Sequence, residues 1–241
     1  MLRPQFVLFG DSLTQQSFDP AGGWGASLAD AYARKADVIN RGYGGYNTRW
    51  ALKMLTRIFP QTAEPPRLVT VFFGANDAAI PGRLGERQHV AIPDYVDNLR
   101  TIVQHLQQLR AGSILLITPP PVSDQGRVKY NCELQGVTEV TQIPERTNAF
   151  TGQYAEACKS LASELGLPVL DLWGLMQQER DWEAELFWDG LHFTSKGNAV
   201  VYKHLQALVD EQFPDLRAED MAYDFPHHSK FDPANVDAAF Q

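Results

Sequence analysis

The stretch Arg67-Leu68-Val69-Thr70-Val71-Phe72-Phe73 decides the fold. It is rich in β-branched and aromatic residues and shows no polar alternation. A strand with one face in water alternates apolar and polar side chains. This one reads as covered on both faces, as in a parallel sheet flanked by helices. Shorter apolar runs at 5–9 (before Gly10), 37–40, 113–118 (SILLIT) and 168–170 read as four companion strands. Between them the spacing turns helical. Leu28, Ala29 and Tyr32 mark a helix over 25–34. Leu52, Leu55 and Phe59 mark one over 48–59, capped by Asn47 or Thr48. Tyr95, Leu99, Ile102, Val103 and Leu106 line one over 93–109, with Pro93 in its first turn. Pro144 is expected to open a helix that runs to about Leu165 and is closed by Gly166; the last helix covers 195–213. Strand–helix alternation of this kind predicts a three-layer α/β/α protein with a five-stranded parallel sheet, with ligands at the carboxyl ends of the strands.

The chain has 241 residues, of which 44% are hydrophobic and 21% charged. That is the composition of a globular protein with a core of its own. No internal repeat and no Gly/Ser linker divides it before residue 213. The expectation is one domain over 1–213 and a polar tail over 214–241, either draped over the body near the site or disordered. Lys+Arg number 21 against 29 Asp+Glu, a net charge of −8. A field of that sign repels phosphate backbones and anionic lipids, so neither nucleic acid nor membrane is an expected partner. No apolar stretch approaches the roughly 20 residues of a membrane span. The four apolar residues Phe6–Phe9 are too few for a secretory leader, which makes the cytoplasm the expected location. Cys132 and Cys158 read as thiols in a reducing compartment, with one bridge between them as the alternative. The sequence leaves open whether the chain forms a homo-oligomer.

One segment breaks the alternation. Pro119-Pro120-Pro121 stops the fourth strand, and residues 122–143 are polar without a clear period. At roughly 20 residues this is long for a structureless loop, so it is expected to be a functional rim of the site.

Four short segments fall where strands end or the last helix begins: Gly10-Asp11-Ser12-Leu13, Asn40-Arg41-Gly42-Tyr43-Gly44-Gly45, Gly74-Ala75-Asn76-Asp77, and Asp189-Gly190-Leu191-His192. Taken singly, each has an ordinary reading. Ser12 suits a helix cap better than a nucleophile. The glycines suit a loop needing positive φ, Asn76 suits a turn, and His192 suits a partly buried histidine. Asp11 and Asp77 are expected to bond nearby backbone N–H groups. Together the segments supply a nucleophile, a base, an orienting acid and oxyanion donors. Asp189 precedes His192 by one tight turn, close enough for the carboxylate to reach Nδ1. Of the aromatic residues near these segments, Phe18, Trp24, Phe187 and Trp188, most are expected in the core and one or two beside the substrate. His227-His228 reads as part of a solvated tail. No cofactor or metal is expected, since no Cys/His/carboxylate set has ligand spacing.

On these residues the chain resembles the SGNH (GDSL-type) hydrolase superfamily. Gly10-Asp11-Ser12-Leu13 matches its first block, Gly45 the glycine of the second, Gly74-Ala75-Asn76-Asp77 the third and Asp189-Gly190-Leu191-His192 the block with Asp-x-x-His. The blocks span residues 10 to 192 in order. Longer strings (RGYGGYNTRWAL, FFGANDA, ITPPPV, FWDGLHFTSKGN) resemble the isoamyl acetate-hydrolysing esterase branch. One departure is Gly44, where relatives often carry Ser, which should loosen that loop. The resemblance implies a flavodoxin-like SGNH hydrolase fold and a serine esterase acting on small-molecule esters such as acetates of small alcohols. It implies Ser12, Asp189 and His192 as catalytic residues, and an oxyanion hole made by the Ser12 and Gly45 backbone N–H groups and the Asn76 side chain. Related activities on acetylated carbohydrates, lysophospholipids or thioesters stay open, as does an inactive binding module.

Overall fold

The computed structural model describes residues 3–61, 64–136 and 143–240. Five parallel strands form one sheet: β1 (Gln5–Gly10), β2 (Asp37–Gly42), β3 (Leu68–Phe72), β4 (Ser113–Ile117) and β5 (Val169–Leu170). Their order is β2-β1-β3-β4-β5. Nine α-helices connect and flank them: α1 (Ser12–Gln15), α2 (Trp24–Ala31), α3 (Thr48–Ile58), α4 (Ile92–Gln108), α5 (Asp124–Gln135), α6 (Asn148–Leu165), α7 (Leu172–Met176), α8 (Trp182–Glu185) and α9 (Ser195–Gln212), counted among the described residues.

The apolar runs divide by parity, as the pleat requires. Phe6, Leu8, Leu68 and Phe72 point to one face, where Trp24 and Leu28 of α2 and Val201, Leu205 and Val209 of α9 cover them. Val7, Phe9, Val69, Val71 and Phe73 point to the other face, against Leu55 of α3, Leu99 and Ile102 of α4, and Tyr154 and Leu161 of α6. The sheet is therefore buried on both sides, and the three-layer architecture follows. Cys132 and Cys158 are both buried thiols. No helix among the described residues is long and apolar enough to cross a membrane.

Register then aligns the loops. Gly10 pairs with Phe72 on one side and with Gly42 on the other, so β1, β2 and β3 end level. The chain order reverses between β1 and β3, which makes their carboxyl ends the topological switch point of the sheet.

Two sequence expectations change. Residues 122–143 are not a structureless loop: 124–135 form α5, capped by the Ser123 side chain, which accepts from the Gly126 N–H, and closed by Gly136 at φ 66°. Its buried residues are Arg127, Asn131 and Cys132. The inward face is thus largely polar, which is why hydropathy shows no helical period. Residues 137–142 lie outside the described residues. Secondly, the helix expected from Pro144 begins at Asn148, where the Thr147 side chain caps it by accepting from the Phe150 N–H. Glu145 and Arg146 lie ahead of it, outside any helix, and are buried. The carbonyls of Leu216 and Ala218 in the tail accept from Tyr32 and Lys35. Asp224 pairs with Arg3 and Arg34, Arg34 donates to the Phe225 carbonyl at 2.7 Å, and Arg34 lies over the Tyr223 ring. Arg3 also pairs with Asp37, the first residue of β2. Residues 223–225 therefore sit at the amino ends of β1 and β2.

Candidate active site

Ser12 opens α1 two residues after β1. Asp11 is the N-cap, its Oδ1 accepting from the Leu13 N–H at 2.9 Å. The turn presents Ser12 Oγ to His192 Nε2 at 2.9 Å. His192 Nδ1 lies 2.7 Å from Asp189 Oδ2. The other carboxylate oxygen, Asp189 Oδ1, accepts from the backbone N–H groups of Leu191 (2.9 Å) and His192 (2.7 Å), so the acid is locked to the turn that carries its histidine. Gly190 adopts φ 84°, and a Cβ there would sit 2.6 Å from the Arg127 nitrogen. Only glycine fits this tight turn against the start of α5.

Asp189 also receives Nη1 of Arg127, at 2.8 Å on Oδ2 and 3.1 Å on its carbonyl. Burial alone would push the Asp189 carboxyl up. The hydrogen bonds and charge of His192, with the charge of Arg127, outweigh burial and bring it down to about 2. Asp189 is therefore an acceptor only, which places the imidazole proton on Nδ1 and leaves Nε2 to accept from Ser12.

Two more strand ends contribute Asn76 and Gly45. Asn76 follows β3, and its Nδ2 donates to the Tyr46 carbonyl at 2.8 Å. Its Oδ1 accepts from Arg146 Nη2 (3.1 Å) and Gln88 Nε2 (3.1 Å). A guanidinium has no acceptor, so the amide can take only this orientation, with its NH2 on the Tyr46 carbonyl. Gly45 sits in the loop after β2 at φ 79°. Its carbonyl accepts from the same Gln88 Nε2 at 2.9 Å. The Gly44 N–H donates to Gln15 Oε1 at 2.7 Å, which ties the loop to α1. Ser12, Gly45, Asn76, Asp189 and His192 are thus brought to one end of the sheet.

Asp11 and Asp77 serve backbone groups. Asp77 Oδ1 accepts from the Thr48 N–H at 3.0 Å and from the Thr48 hydroxyl. Burial pushes both carboxyls up to about 7. Among the aromatic residues, Trp24 and Phe187 are core. Trp188 is 57% exposed. Its ring stacks on His192, with centroids 5.6 Å apart, and meets Tyr130 edge-on at 5.8 Å. Sequence reasoning missed Gln88, Arg127, Glu145 and Arg146. The signal available was Ser123 and Gly136 at helix-capping positions around an apparently aperiodic stretch, with Arg127 and Asn131 spaced i, i+4.

A three-layer α/β fold with a Ser–His–Asp chain at its switch point has the form of a serine hydrolase. The comparisons agree. The GDSL-like Lipase/Acylhydrolase family model matches residues 8–200. A GDSL esterase/lipase of Arabidopsis thaliana is 51% identical over 242 residues, covering 100% of this chain and 98% of the relative. The human isoamyl acetate-hydrolyzing esterase 1 homolog is 42% identical over 220 residues, covering 90% and 85%. Among solved structures, a lipase/acylhydrolase from Enterococcus faecalis superposes with TM-score 0.66 at 24% identity, covering 87% of this chain and 96% of that one. An acetylxylan esterase from Geobacillus stearothermophilus superposes with TM-score 0.66 at 19% identity, covering 86% and 94%. The chain belongs to the GDSL-like lipase/acylhydrolase family and is a carboxylic ester hydrolase.

Proposed function

We propose that the chain is a serine esterase for short-chain carboxylic esters, foremost acetates of small alcohols. The observation that carries this reading is the unbroken Ser12–His192–Asp189 chain, at 2.9 and 2.7 Å, beside the fixed amide of Asn76. Ser12 Oγ attacks the ester carbonyl while His192 Nε2 takes its proton. The carbonyl oxygen gains charge opposite the Ser12 and Gly45 N–H groups and the Asn76 amide. His192 then protonates the departing alcohol. Water, deprotonated by the same nitrogen, attacks the acyl-serine and releases the acid. Asp189 holds the Nδ1–H tautomer and stabilises the imidazolium.

The relative named as an isoamyl acetate-hydrolyzing esterase homolog supports small acetates as the substrate class. A recess of about 200 Å³, bounded by Gln16, Asp19, Gly22, Phe193 and Ser195, shares Trp188 with the site but is not lined by Ser12 or His192. The recess's polar lining, with the exposed Trp188 as a stacking face, also favours an acetylated sugar as the second substrate to test.

Two measurements check this reading. Across p-nitrophenyl esters from C2 to C12, kcat/KM should be highest at C2–C4 and fall by about tenfold or more at C8 and beyond, since each misplaced methylene costs on the order of 1 kcal/mol or more. A rise toward C12 would make the enzyme a long-chain acylhydrolase instead. Replacing Asn76 with alanine should lower kcat by about 10²–10³-fold while KM moves little, because its amide acts on the developing oxyanion. A raised KM at unchanged kcat would make Asn76 a ground-state binding residue.

A further inference from the structure

A line of buried charge joins the two halves of this site. Arg127 is 6% exposed, Glu145 2% and Arg146 5%. From the acid end, Arg127 Nη1 donates to Asp189 Oδ2. Its Nε and Nη2 fork onto Glu145 Oε1 at 2.9 and 2.6 Å. Arg146 Nη1 reaches that same oxygen at 2.8 Å, and Asn131 Nδ2 donates to Oε2 at 2.5 Å. Beyond Glu145, Arg146 Nε holds the Ala75 carbonyl at 2.8 Å. Arg146 Nη2 donates to Asn76 Oδ1 and, at 2.8 Å, to Gln88 Oε1. Gln88 in turn grips the Gly45 carbonyl and Asn76. Every member is paired with good geometry, the condition under which a buried ionic network rigidifies its surroundings.

We propose that Arg127, Glu145 and Arg146 form one positioning unit: Arg127 orients Asp189 and tempers its negative charge toward His192, and Arg146 with Gln88 aims the Asn76 amide. The proposal rests on the serine-esterase reading of the site. Arg127 and His192 donate to the same oxygen of Asp189, at 2.8 and 2.7 Å. The guanidinium therefore stands one carboxylate away from the charge that forms on the imidazole. Among the described residues, His192 bonds Asp189 on its own loop and Ser12 from α1, and Arg127 from α5 faces it across Asp189. Glu145 and Arg146 stand behind Arg127, and Trp188 covers one ring face. Removing Arg127 takes away a repelling cation, leaves Glu145 less compensated, and so favours protonated His192 on both counts. Removing Arg146 leaves the Asp189–His192 pair in place but releases the amide of Asn76.

The two ends therefore fail differently, and a merely structural role would not produce that split. The test follows kcat, KM and the pH profile of ester hydrolysis in R127M, R127K, R146M and R146K, each beside the wild type. In R127M the acid limb of kcat/KM should move up by about one pH unit, the usual scale for a like charge at this range. In R127K the charge remains but the fork is lost, so the limb should stay while kcat falls about tenfold. In R146M and R146K the limb should stay and kcat should fall about 10-fold to 100-fold with KM nearly constant, because a misaimed donor costs transition-state binding. An unmoved limb in R127M overturns the proposal, as does a KM effect without a kcat effect in the Arg146 variants. If either methionine variant fails to fold, the lysine variant decides: a shifted limb in R127K, or wild-type kcat in R146K, overturns it. Fluorophosphonate labelling of wild-type Ser12 is run alongside. If Ser12 is not labelled, the serine-esterase reading itself fails; if it is labelled and the split is missing, only the network does.

Discussion

Replacing Ser12 with alanine should lower kcat by about 10⁴-fold or more, the scale of nucleophile loss in serine hydrolases. Its hydroxyl makes a side-chain hydrogen bond to His192 and caps no helix, a task that falls to Asp11. Stability should therefore change by less than about 1 kcal/mol. The measurement is steady-state hydrolysis of p-nitrophenyl acetate alongside thermal unfolding. Near-wild-type turnover in a folded variant would remove Ser12 from the reaction.

The second large effect is at Asp189. Changing it to asparagine should lower kcat by about 10⁴-fold, as loss of the orienting acid does elsewhere. The reason is specific to these contacts. Oδ1 accepts from two backbone N–H groups, so the amide oxygen of an asparagine must take that place. Its NH2 then points at His192 Nδ1 and at Arg127 Nη1, where an acceptor stood before. Facing a donor, the imidazole moves its proton to Nε2 and can no longer accept from Ser12. Arg127 also loses one of its two carboxylate partners, so this variant should lose stability as Ser12→Ala does not, by about 3 kcal/mol. A longer glutamate side chain in its place keeps the charge but not the turn, and cannot restore the rate. Equal unfolding temperatures for Asp189→Asn and the wild type would contradict the ionic contact.

The legibility of the fold follows from burial. Residues 68–73 and 114–118 are buried, so their lack of alternation reports the parallel sheet directly. The site was legible where a short motif follows a strand end, as at Ser12 and Asn76, because register sets those ends level. What stayed hidden is polar and buried. α5 turns Arg127 and Asn131 inward, so a hydropathic period never forms, and a functional helix reads as a loop. Pro144 suggested a helix start, yet Glu145 and Arg146 turn into the charge network and Thr147 caps the helix that follows. Opposite charges far apart in sequence, such as Arg127 and Asp189, carry no mark of their meeting in any local window. The tail shows the same limit: its acidic Asp224 finds Arg3 and Arg34 across the molecule.

Everything proposed for this site turns on Ser12 being the nucleophile of an ester hydrolysis driven by His192 and Asp189. Peptide mapping after treatment with a fluorophosphonate tests it most directly. One adduct per chain is expected, on the peptide holding Gly10-Asp11-Ser12-Leu13, formed in step with loss of activity and greatly slowed when His192 is replaced by alanine. Full inactivation with the adduct on another residue, or retained ester hydrolysis with Ser12 fully modified, would contradict it.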